Sequence, residues 1–107
     1  MALLISSHAV YPGVAALRLT GEIDLTTVDQ LGEAIANEIQ RDDVAAVLVD
    51  LDQVTFLDST GIAALVKGRH AAERYGKRIA VTNAHGPVRR VLDVTGMWIY
   101  LTGHDTP

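Results

Sequence analysis

Ala45-Ala46-Val47-Leu48-Val49-Asp50-Leu51, followed seven residues on by Asp58-Ser59-Thr60-Gly61-Ile62, decides how this 107-residue chain is read. The first stretch is a nearly continuous apolar run with β-branched members, the composition of a strand covered on both faces of a sheet. It is expected to be the central strand. After the second stretch, Ile62, Leu65, Val66, Arg69, Ala72 and Tyr75 recur at helical steps. Gly76 then offers a C-terminal stop, so a helix is expected to begin near Ser59.

Outward from this unit the same alternation continues. Residues 3–10 and 14–20 are β-prone and separated by Tyr11-Pro12-Gly13, whose proline and glycine suit a turn, so the chain is expected to open with a hairpin. Its second strand is interrupted by Arg18 and Thr20 and should turn one face to water before ending at Gly21-Glu22-Ile23-Asp24. From Thr26 onward Val28, Leu31, Ile35 and Ile39 mark one face of an amphipathic helix. Downstream, residues 78–82 suggest a short strand. Pro87, Val88, Val91 and Leu92 suggest a third helix with proline in its first turn, and residues 98–101 a last strand or strap. The order is α/β: helix-separated strands should run parallel through right-handed crossovers, with the opening hairpin as an antiparallel edge. No repeat or linker interrupts it, so one domain over residues 1–107 is expected.

Composition narrows the chemistry. The net charge of −4 leaves no electrostatic footprint for a phosphate backbone or an anionic bilayer, so neither nucleic acid nor membrane is an expected partner. With no cysteine, disulfides, thiolate metal sites and cysteine nucleophiles are excluded. The apolar run ending at Val49 is far short of the roughly 20 residues a membrane span needs. The start, Met1-Ala2-Leu3-Leu4-Ile5, carries no basic residue ahead of its apolar run, and a cytoplasmic location is the expectation.

Enzymatic readings fail on particular residues, and no catalytic group, metal or cofactor is expected. Ser59 stands where a Gly-x-Ser-x-Gly nucleophile would, but Leu57 replaces the first glycine, and His70, His85 and His104 have no acidic partner at a diagnostic position. Phosphate-cradling glycine motifs are missing, and Gly76 is better explained as a helix stop. The four histidines show no i, i+4 pair for a transition metal. Asp24, Asp50, Asp52 and Asp58 could gather as a magnesium site, although aspartate at strand ends more commonly closes turns or caps helices. Lys67, Arg69 and Arg74 are expected on a solvated face, and Trp98 as a partly buried packing residue.

The stretch from Val54 to Ile62 lies where open α/β sheets place functional loops. In the structural reading Asp58 or Ser59 caps the following helix, and Gly61 permits close packing. In the functional one, a hydroxyl at a helix N-terminus is reachable from solvent, and a phosphate there would meet free N–H groups and the positive end of the helix dipole. That phosphate would add about −1.5 to −2 charges beside Asp58, enough to repel a partner.

Three motifs carry a family resemblance across nearly the whole chain. Asp58-Ser59-Thr60-Gly61-Ile62 resembles the Asp-Ser-[Ser/Thr]-Gly-[hydrophobic] signature of STAS domains that act as anti-sigma factor antagonists. Gly21-Glu22-Ile23-Asp24 is similar to the family's Gly-Glu-[hydrophobic]-Asp loop, and residues 88–97 to its late helix and turn. The resemblance implies a single STAS (SpoIIAA-like) domain with a mixed four- to five-stranded sheet and flanking helices. It implies, as partner, an anti-sigma factor that is also a serine kinase of the GHKL ATPase type, with a serine phosphatase reversing the modification. Carried over by position, the phosphoacceptor is Ser59, with Thr60 as the alternative. The partner surface would comprise Asp24, Leu25, Thr26, Asp58, Ser59, Thr60, Gly61 and Ile62. STAS domains also serve as accessory or ligand-binding subunits of transport or stress-sensing complexes, the rival reading of the same fold.

Overall fold

The computed structural model describes residues 2–102. Strands β1 (Leu3–Tyr11) and β2 (Val14–Ile23) form the opening hairpin, with Gly13 at φ +83° in the turn. Then follow α1 (Val28–Ile39), β3 (Ala46–Leu57), α2 (Ser59–Arg74), β4 (Arg78–Thr82), α3 (Gly86–Val94) and α4 (Met97–Thr102). The strands lie in the order β1-β2-β3-β4, with β1 antiparallel to β2 and the other two pairings parallel. The expected mixed sheet with an antiparallel edge is therefore present, with four strands among the described residues.

Successive crossovers that step the same way along a sheet leave their helices on one face, and α1 and α2 pack against each other there. The core beneath them is built from strand positions of one parity, Leu17 and Leu19 on β2 and Val47, Val49 and Leu51 on β3, all at most 1% exposed. Leu31 and Ile35 of α1 and Leu65 of α2 close it from above. The opposite parity makes the other sheet face, where Arg18 lies beside Asp50 at 3.8 Å.

Three expectations need correction. The central strand does not end near Leu51 but runs on to Leu57, because Val54 and Leu57 still bury their side chains while β2 continues alongside to Ile23. The connection to α2 is thereby reduced to Asp58. Residues 98–101 are not a strand or strap but lie inside α4. Although Trp, Ile and Tyr favour strands, tertiary partners override that preference. Gly96, at φ +74°, lets the chain restart after α3. Thr102 Oγ then donates to the Trp98 carbonyl at 2.6 Å, and Arg89 stacks over the Trp98 ring at 3.6 Å. Arg69, expected on a solvated face, instead donates to the Tyr100 carbonyl and stacks 4.3 Å from the Tyr100 ring centre. Trp98 is partly buried as expected, and His104 lies outside the described residues.

Candidate functional site: two Asp-x-Thr turns at the sheet end

The parallel ladder between β2 and β3 ends with Ile23 opposite Leu57, so the next residues, Asp24 and Asp58, leave the sheet as neighbours. Gly61 shows how tightly α2 sits on this end. A Cβ there would come within 2.4 Å of Leu57 Cδ1 and 2.6 Å of Ile23 Cγ2, so the first turn of α2 rests directly on both side chains.

Each aspartate then builds the same turn. Asp24 Oδ1 accepts the Thr26 N–H at 2.9 Å and the Thr26 hydroxyl at 2.7 Å. Asp58 Oδ1 accepts the Thr60 N–H at 3.0 Å and the Thr60 hydroxyl at 2.5 Å, and also takes the Gly61 N–H at 3.4 Å. Asp58, not Ser59, is thus the cap of α2. The hydrogen bonds from Thr26 hold the Asp24 carboxyl below its ordinary value, the hydroxyl contributing most, against an opposing push from desolvation.

In both turns the middle residue is forced outward because its neighbours are tied down. It is Leu25 in the first, 76% exposed, and Ser59 in the second. Among the described residues nothing hydrogen-bonds the Ser59 hydroxyl. Thr26 is exposed, Asp24, Asp58 and Thr60 are half-buried, and Gly61 and Ile62 are buried, supporting the patch from below. Phe56, 45% exposed and in register with Glu22, adds a second apolar group at this end of the sheet. Sequence reading missed it by ending the central strand too early. The expectation of free N–H groups for a phosphate also changes, since Asp58 already occupies those of Thr60 and Gly61. Added charge at Ser59 would stand beside a carboxylate rather than be absorbed by the helix end.

The other aspartates considered for a metal lie elsewhere. Asp50 accepts from Asn83 at 3.1 Å beside Arg18, and Asp52 lies 3.5 Å from His85 Nε2.

Residues 7–105 match the family model of the STAS domain. The chain belongs to the STAS domain family. Among its curated relatives is the anti-sigma F factor antagonist of Paenibacillus polymyxa, 29% identical over 93 residues, which cover 87% of this chain and 80% of the relative. Among solved structures, unphosphorylated SpoIIAA, an anti-sigma factor antagonist, superposes with a TM-score of 0.76 at 23% identity, over 89% of this chain and 83% of that one. The phosphorylated form of SpoIIAA, described as a Bacillus cell fate determinant, superposes with a TM-score of 0.68 at 22% identity, over 88% and 85%. The fold of this STAS domain is SpoIIAA-like, and no helix among the described residues is long and apolar enough to cross a membrane.

Proposed function

We propose that this chain is an anti-sigma factor antagonist. It binds an anti-sigma factor that is also a GHKL-type serine kinase, releasing the sigma factor, and phosphorylation of Ser59 switches that binding off until a serine phosphatase reverses it. It acts in the cytoplasm by binding rather than catalysis. The observation that carries this reading is the contrast between adjacent hydroxyls. Among the described residues Ser59 is exposed and without a hydrogen bond at the start of α2, whereas the Thr60 hydroxyl is held by Asp58 at 2.5 Å. A kinase needs a hydroxyl it can reach and reorient, which favours Ser59 over Thr60 as acceptor.

The docking patch in this reading is the pair of turns: Asp24, Leu25 and Thr26 on one side, Asp58, Ser59 and Thr60 on the other, with Gly61 and Ile62 holding them in place. Leu25 supplies apolar contact, and a phosphate on Ser59 would add about −1.5 to −2 charges beside Asp58, repelling an acidic surface or blocking a close fit. Similarity to relatives named anti-sigma factor antagonists, and to a protein known in phosphorylated and unphosphorylated forms, supports it.

The test is to incubate the purified chain with ATP and each GHKL-type anti-sigma kinase of its source organism, and to locate phosphate by peptide mass spectrometry with Ser59→Ala as control. Modification confined to Ser59, followed by loss of kinase binding, is the expected result. Absence of both binding and modification with every kinase would overturn the proposal and favour the accessory-subunit reading.

A further inference from the structure

The outer edge of β1 differs from other edges of the molecule. It is nine residues long, Leu3-Leu4-Ile5-Ser6-Ser7-His8-Ala9-Val10-Tyr11, and contains no Lys, Arg, Asp, Glu or Pro, the residues by which proteins usually keep sheet edges from pairing. At the opposite edge, the exposed Arg78 opens β4 and α4 packs against that strand. On β1, by contrast, Leu4, Val10 and Tyr11 are 68%, 45% and 60% exposed.

The direction of the backbone groups follows from the hairpin. The Glu22 N–H donates to the Ala2 carbonyl, and β1 pairs with β2 in unbroken antiparallel register from Leu3 to Ala9. Even-numbered residues therefore turn their N–H and C=O groups toward β2, and Leu3, Ile5, Ser7 and Ala9 turn theirs to the open edge. Among the described residues Gln30 caps one of these, donating to the Leu3 carbonyl at 2.7 Å. The edge at Ile5, Ser7 and Ala9 is left as a template for another strand.

We propose that this edge pairs with the same edge of a second copy, antiparallel about a two-fold axis at Ser7, giving a continuous eight-stranded sheet. The occupant is identified by the edge's own pattern. With Ser7 opposite its counterpart, Ile5 meets Ala9 and Ser6 meets His8 within the unbroken register, apolar against apolar and polar against polar, and Leu4 lies toward Val10 at the bulge that precedes Tyr11. The outward-facing residues Ile5, Ser7 and Ala9 meet only one another, so each N–H finds a carbonyl. A one-residue slip would set outward groups against groups already bonded to β2. One strand pair lies at the small end of specific interfaces, below about 1,200 Å² in total, so the association is weak and reversible. It does not depend on the proposed switch.

Sedimentation velocity of the whole chain from about 10 µM to about 1 mM, the range suited to so small an interface, tests this. The expected result is a concentration-dependent monomer–dimer equilibrium. Ala9→Pro removes one outward donor while sparing the ladder to β2, as proline does at sheet edges, and should weaken dimerisation at least about tenfold. Leu4→Lys, at a side chain already exposed in the monomer, should do the same should the proline variant fold poorly. Because the chain lacks cysteine, Ser7→Cys tests the register, at the cost of the hydrogen bond that Ser7 Oγ donates to Glu38 Oε2 at 3.0 Å. Directly opposed residues of a hydrogen-bonded antiparallel pair stand about 5.5 Å apart, within disulfide reach, so this variant should oxidise to a covalent dimer faster than Glu73→Cys. A monomer throughout the range, a dimer unaffected by both Ala9→Pro and Leu4→Lys, or equal oxidation at positions 7 and 73 would overturn the proposal.

Discussion

Asp24-Leu25-Thr26-Thr27 and Asp58-Ser59-Thr60-Gly61 begin at matched positions of one parallel ladder and fold into the same carboxylate-to-threonine turn, yet they differ at their second and fourth residues. At the second, one turn presents an apolar side chain to solvent and the other a free hydroxyl. At the fourth, Thr27 is 4% exposed and acts as a clasp, accepting the Asp24 N–H at 3.0 Å and donating to the Glu22 carbonyl at 2.9 Å. Gly61 makes no such bond and instead lets a helix backbone lie on Ile23 and Leu57. A shared turn therefore serves two ends: one anchors its loop by hydrogen bonds, and the other presents a reactive group on a helix seated by close packing.

The most damaging way to break this comparison is to remove the close approach. Gly61→Ala should destabilise the fold by about 1–3 kcal/mol in urea unfolding, because the new methyl group overpacks the contact with Ile23 and Leu57. A neutral result would mean that α2 is free to lift off the sheet end. Next comes the cap. Asp58→Ala leaves the Thr60 and Gly61 N–H groups without their acceptor and should cost about 0.5–2 kcal/mol by the same assay. Ser59→Ala sharpens the contrast from the other side. As neither cap nor hydrogen-bond partner, Ser59 should change stability by less than about 0.5 kcal/mol, so any loss of signalling in this variant would reflect the missing hydroxyl.

The smallest expected effect separates the turns electrostatically. In Thr26→Val the Asp24 carboxyl loses the hydroxyl that does most to lower its pKa, and its titration, followed by carbon-detected NMR, should move up toward the ordinary 3.8. Since Asp24 titrates below that value in the folded chain, the stability it confers is complete above pH 3.8 and is lost as the pH falls through the lowered value. Thr26→Val should therefore shrink the loss of stability on acidification below pH 3.8.

Much of the fold was legible because its signals are local. The apolar run at residues 45–51, the helical spacing after Ser59 and the stop at Gly76, which takes φ +69°, all reflect neighbouring residues, and they agree with the observed elements. The site was half legible. Asp24, Asp58 and Ser59 stood out by motif, but Asp58 and Ser59 were equivalent candidates for the helix cap, and Phe56 was hidden behind a strand end placed too early. The C-terminal segment was misread because its helix depends on Arg69 and Arg89, residues some way back in the chain.

From the sequence alone, then, came the order of strands and helices as far as α3 and the parallel crossovers, because periodicity and turn chemistry act over a few residues, together with the three motifs whose resemblance marks a STAS domain. Only the tertiary structure decided that Asp58 rather than Ser59 closes the helix, that Thr60 is bound while Ser59 is free, that residues 97–102 coil, and that β1 keeps an uncharged open edge. Each of these depends on where a hydrogen-bond partner, an arginine or a neighbouring strand arrives in space, which no local pattern encodes.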